Sequence, residues 1–264
     1  MRELLEPFLV LGFVGLLFLL RLDASRFGAA EYDDEELDGG WRGWIRRLAW
    51  YGLGITLVLV VYVVHPQPVN VLHLDLGPDR PQALLLGLIY GFVGILVAFA
   101  FAWIRYGRFR LPPARLYPGG LINSLGTAFI DETLFRGMIL GLLLSWDVDP
   151  ALAVSVQAAL YALATRLGGP GRSRLMLLIT IGIGVLGGWL VLETGGVGAA
   201  LVGHAITRFA LFLSTGHAGQ ARAAGWEPEE VAGWALPPSG WGYVGGGGAP
   251  PGPERERRGT RRRR

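Results

Sequence analysis

Long apolar runs separated by short polar stretches dominate the chain, and each run has about the length that crosses a bilayer. At about 1.5 Å per helical residue, roughly 20 residues span a hydrocarbon core of about 30 Å. The runs predict helices over Leu4–Leu20, Leu48–Val64, Ala83–Ile104, Leu121–Ser145, Pro150–Thr165, Leu175–Leu192 and Val197–Ser214. The first is read as a helix and not as a signal peptide. Glu3 and Glu6 accompany Arg2, and no small-x-small cleavage pattern precedes Arg26. The sixth carries Gly182, Gly184, Gly187 and Gly188, which let neighbouring helices approach closely. The expected fold class is all-α, a multi-pass transmembrane helical bundle of about seven spans. No internal repeat is evident. Three regions follow: N-terminal helices with an acidic loop over 1–115, a four-helix core over 116–216, and a disordered tail over 217–264.

Composition sharpens this reading. The chain has 264 residues, is 52% hydrophobic and has a mean hydropathy of +0.41, values of a polytopic membrane protein. It has no cysteine, which excludes disulfides, thiolate catalysis and cysteine metal ligands. All 24 basic residues are arginine, the mark of a GC-rich genome. The net charge of +3 matters less than its distribution. With the N-terminus outside, inward segments hold Arg21–Arg47, Arg105–Arg115, Arg166–Arg174 and the tail. That places twenty arginines inside against Arg2 and Arg80 outside, as the positive-inside rule requires. The expected location is the plasma membrane, with the tail cytoplasmic. Trp41–Arg47 alternates aromatic and basic residues suited to an interface, and Glu31–Asp38 reads as solvated surface. The Gly/Pro-rich tail cannot bury a core, but its arginines attract anionic headgroups. Expected partners are membrane lipids and a membrane-anchored peptide or protein, and no nucleic acid.

Against this apolar background, Asp131, Glu132 and Arg136 stand within one span, and His204 and Arg208 within another. Ionisable residues inside a membrane are costly and mark function by default. Glu132 and Arg136 are four apart and share a helix face, as do His204 and Arg208. Counted from the helix starts, Glu132 lies roughly 18 Å from one face and His204 roughly 11 Å from the other, so their levels nearly coincide. Thr165 and Arg208 fall deeper toward the cytoplasm.

Three motifs then resemble the CPBP intramembrane proteases, which include the type II CAAX prenyl endopeptidases and the Abi proteins. The family's Glu-Glu motif ending in Arg-Gly corresponds to Asp131-Glu132-Thr133-Leu134-Phe135-Arg136-Gly137. Its Phe-x-x-x-His corresponds to Tyr161–Thr165, and its Thr-Gly turn with a following His-x-x-x-Asn/Asp to Thr194-Gly195 and His204–Arg208. The resemblance covers about Leu116 to Leu213 and implies a membrane endopeptidase. In such an enzyme the first glutamate activates water, two histidines help form the metal or water site, and an asparagine completes it. Of those four, only His204 stands unchanged. Asp131 is a methylene shorter than glutamate, and displacements of about 1 Å can cost on the order of 100-fold in rate. Thr165 is a poor zinc ligand, and Arg208 carries a fixed positive charge that repels a cation.

Three readings stand at this point. Asp131 and Glu132 with Arg136 and Arg208 form a charge-balanced structural bolt, Asp131 or Glu132 reaching Arg208 across helices. Alternatively, the site hydrolyses peptides with an altered constellation, or it serves a ligand or proton role. The cofactor expectation is none, with zinc only if the protein is active and His204 as its one remaining ligand. Asn123 or Gln157 could substitute for a lost ligand. Elsewhere, His65, His73 and Asp75 lie in a proline-broken loop of low metal specificity. His217 reads as interfacial, and Gly245–Gly248 as linker and not a phosphate loop.

Overall fold

A computed structural model describes residues 2–27, 29, 32–33, 40–107, 109–167, 174–218 and 242–244. The acidic run apart from Tyr32–Asp33, most of the tail and Gly245–Gly248 lie outside the described residues. The described chain is a helical bundle, as the apolar runs predict. Its helices are α1 (Arg2–Leu22), α2 (Gly40–Val64), α3 (Arg80–Tyr106), α4 (Tyr117–Asp131), α5 (Leu140–Ser145), α6 (Pro150–Leu167), α7 (Arg174–Thr194) and α8 (Gly198–Thr215). A π-helical stretch, Glu132–Ile139, joins α4 to α5, so these three form one rod. Among the described residues, five helices are long and apolar enough to cross a membrane, and α6 contains a shorter apolar stretch. Large apolar side chains such as Leu85, Phe92 and Leu96 point outward from α3. A surface of that kind suits lipid and not water.

Helix ends follow from local chemistry. Asp79 caps α3 by accepting the Gln82 amide at 3.0 Å, and Pro81 supplies a residue with no N–H to satisfy. Gly107 closes α3 and Gly216 closes α8, with φ of 65° and 81°, where a side chain would strain the backbone.

The main core lies where α1 and α2 meet the central rod. Leu17, Trp50, Leu134, Phe135 and Met138 are all buried there. Phe135 stands edge-on between Phe18 at 6.0 Å and Tyr161 at 5.2 Å, tying α1 to α6 through the rod. On the other side α3 packs chiefly along α8. Three of the four α7 glycines make close approaches: a Cβ on Gly184 would meet Ala158 at 2.8 Å, on Gly188 Gln157 Nε2 at 2.6 Å, and on Gly187 Arg136 Nε at 3.0 Å. Gly182 has open space around it.

The α2–α3 connection enters the bundle. Leu72 is fully buried, and a Cβ on Gly141 would stand 2.8 Å from Leu72 Cα. The Val197 amide donates to the carbonyls of His73 and Asp75 at 3.2 and 3.0 Å. This connection therefore braces both the central rod and the turn that starts α8. Short antiparallel pairs join β1 (Tyr32–Asp33) to β3 (His217–Ala218), and β2 (Phe109–Leu111) to β4 (Gly242–Val244). His217 thus belongs to a strand pair, and one piece of the tail is ordered against the α3–α4 connection.

Candidate functional site

The acidic motif sits at the change from α to π geometry, with Asp131 ending α4 and Glu132 opening the π stretch. Such bulges are frequent at functional sites, since they turn successive side chains in directions a regular helix does not allow. Thr133 contributes locally: its hydroxyl donates to the Phe129 carbonyl at 2.7 Å, competing with the helical amide ladder. All side chains from Asp131 to Arg136 are buried.

Glu132 and His204 meet directly, with Oε1 and Nδ1 2.5 Å apart across the rod and α8. On the other side of the ring, Nε2 lies 3.1 Å from the Tyr161 hydroxyl. An ionised carboxylate only accepts, so a neutral His204 carries its proton on Nδ1 and accepts at Nε2 from Tyr161. The three residues form a continuous carboxylate–imidazole–phenol chain. Arg136 completes the group. Its guanidinium stands 4.0 Å above the Tyr161 ring, and its Nε forms an ion pair with Glu132 Oε2 at 3.4 Å. That geometry is not a hydrogen bond, and among the described residues the Arg136 nitrogens find no hydrogen-bond acceptor.

Asp131 points elsewhere. Arg21, in the last turn of α1, donates through Nε and Nη2 to the two Asp131 oxygens, and both side chains are buried. A two-pronged guanidinium–carboxylate contact is the strongest form of such a pair. Arg21 is not among the cations expected beside Asp131, where Arg208 is the expected partner of Asp131 or Glu132; Arg208 Nη2 donates to Asn123 Oδ1 at 3.2 Å. Arg21 reaches the motif's acid because α1 packs on the rod.

The remaining candidates are also placed. The Thr165 hydroxyl, on α6 below Tyr161, donates to the Ala162 carbonyl at 2.8 Å. Asn123 donates to the Ala29 carbonyl and the Tyr51 hydroxyl, both at 2.8 Å, and Gln157 to the Gly184 carbonyl at 2.7 Å. His73 Nδ1 lies 3.1 Å from the Gly195 carbonyl, and His65 Nδ1 accepts the Gln67 amide at 3.1 Å. Both loop histidines thus hold backbone. Sequence reasoning missed Arg21 and Tyr161 as members of the site. Tyr161 carried a signal, since a hydroxyl stood where the resembling motif has phenylalanine.

A catalytic zinc needs three protein donors and an open position. Among the described residues no three His, Asp or Glu side chains converge in that way. His204 directs one nitrogen at Glu132 and the other at Tyr161, and the Asp131 oxygens face a guanidinium. As arranged, this donor set does not fit a divalent cation.

No curated protein and no solved structure is significantly similar to the chain. Residues 113–210 match the family model described as type II CAAX prenyl endopeptidase Rce1-like. The matched span holds Asp131, Glu132, Arg136, Tyr161, His204 and Arg208 but not Arg21. Over that span the chain is similar to the Rce1-like group of CPBP membrane proteins.

Proposed function

We propose that this membrane protein has lost the peptidase activity of its family, and that its polar cluster fastens the helices of a non-catalytic scaffold or binding subunit. The observation that carries this reading is the Arg21–Asp131 contact. Asp131 occupies the place of the family's water-activating carboxylate, and a guanidinium from outside the matched domain covers both its oxygens. A carboxylate so held is a poor base, because protonating it forfeits a buried ion pair. Thr165 and Arg208 support the same reading, since both are ill suited to a cationic site. The test is hydrolysis of a membrane-anchored peptide by the purified protein in vesicles, compared with Glu132→Ala.

One observation favours a second reading, an active hydrolase with an altered site. The Glu132–His204–Tyr161 chain can orient an imidazole and pass a proton, as general acid–base chemistry requires. On that reading Glu132, and not Asp131, is the essential acid, and Tyr161→Phe abolishes cleavage.

The partners this proposal implies are membrane lipids and a membrane-anchored peptide or protein. The proposal includes a plasma-membrane location with the α2–α3 connection outside and the α3–α4 connection inside, a reading the arginine asymmetry supports. Single cysteines introduced at Gln67 and Arg115 test the orientation. Labelling of Arg115→Cys from outside intact cells overturns it.

A further inference from the structure

Away from the polar cluster, a cleft of about 200 Å³ opens between the start of α1, the end of α2 and the end of α5. Its lining changes character with depth on two elements at once. On α1, Glu6 and Pro7 lie at the helix end, and Val10 and Leu11 lie one turn deeper. On α5, Ser145 and the neighbouring Trp146 lie at the end, with Leu142 one turn deeper. His65 and Pro66 close the rim from α2. The cleft is thus polar where these helices leave the membrane and apolar toward its interior. Trp146 is 57% exposed there, at the level where tryptophan favours the headgroup region.

The polar rim has a defined hydrogen-bonding inventory. Glu6 brings a carboxylate, an acceptor only. The Ser145 hydroxyl spends its proton on the Leu142 carbonyl at 2.8 Å and keeps its lone pairs. His65 Nδ1 accepts the Gln67 amide, so Nε2 carries the proton and donates. Burial also holds this imidazole below its ordinary pKa, which keeps it neutral near pH 7. The rim therefore asks for a group with a cationic donor beside an acceptor, attached to an apolar tail.

We propose that this cleft binds the headgroup of an ethanolamine phospholipid, its ammonium on Glu6 and Ser145 and its phosphate on His65 Nε2. The volume admits a headgroup and not a whole lipid. The acyl chains then run along α1 past Leu11, which is 42% exposed. A choline headgroup has no N–H to donate to Glu6 and Ser145. An anionic glycerol headgroup brings no positive charge to Glu6.

The measurement is native mass spectrometry of the delipidated full-length protein, titrated with ethanolamine, choline and glycerol phospholipids of identical chains. Wild type is expected to retain the ethanolamine lipid preferentially, with retention falling as the headgroup nitrogen is methylated stepwise. Glu6→Gln is expected to reduce that retention about fivefold, the scale of an exposed ion pair. Glu193→Gln, which alters an exposed acid on α7 outside the cleft, should leave it unchanged. Equal retention of the three lipids by wild type overturns the proposal without recourse to any variant. Preferential retention that survives Glu6→Gln overturns it as well, since the site is then elsewhere.

Discussion

Arg21 and Asp131 are 110 positions apart in sequence and meet as a fully buried pair, two guanidinium nitrogens against two carboxylate oxygens. The contact links α1, outside the Rce1-like span, to the motif at the centre of that span. Removing either partner takes from the other charge its two-pronged contact in the bundle interior. Arg21→Ala and Asp131→Ala are each expected to cost about 3–5 kcal/mol, whereas Arg21→Met with Asp131→Leu should restore most of that stability. Thermal or denaturant unfolding in detergent measures the cycle. Additive losses in the double variant would mean that the two residues act independently.

The packing of the α2–α3 connection yields a second expectation. Gly141 faces Leu72 backbone, where a methyl group has no room, while Gly182 faces open space. Gly141→Ala should destabilise the protein by about 1–3 kcal/mol through overpacking. Gly182→Ala should change stability by no more than about 0.5 kcal/mol. Paired Tm measurements decide this, and equal shifts would argue that the connection does not pack into the rod.

How much of this could be read beforehand depended on which physical signal each feature leaves in the sequence. The spans were legible because run length in a bilayer is a direct constraint. The approach of His204 to Glu132 was legible because rise per residue converts position into depth. Arg21 was not legible as a partner, since an arginine at the end of a span looks the same whether it faces headgroups or turns inward. Nor was the π stretch, because Glu132–Ile139 differs from an ordinary helix only in how its amides are shared. The buried connection was read as a loop from its prolines, although Val69, Val71, Leu72 and Leu74 gave it an apolar content unusual for exposed chain. In the charge cluster the expected balance of two acids and two arginines left out a third arginine, Arg21, which holds Asp131.

The added arginine changes what restoring a metal site requires. Asp131→Glu, Thr165→His and Arg208→Asn together return the family's residues, yet leave Arg21 against the restored carboxylate. The triple variant is expected to bind no stoichiometric zinc, and adding Arg21→Ala is expected to permit it. Elemental analysis of the purified variants distinguishes the two. Zinc in the triple variant itself would show that Arg21 does not control the site.

The most direct test of the central proposal is cleavage of a membrane-anchored peptide library by the wild-type protein in vesicles, with and without added zinc. The account predicts turnover at background, indistinguishable from Glu132→Ala and His204→Ala under both conditions. Robust cleavage by wild type that either substitution abolishes would contradict it, and would make the Glu132–His204–Tyr161 chain the working centre of an enzyme.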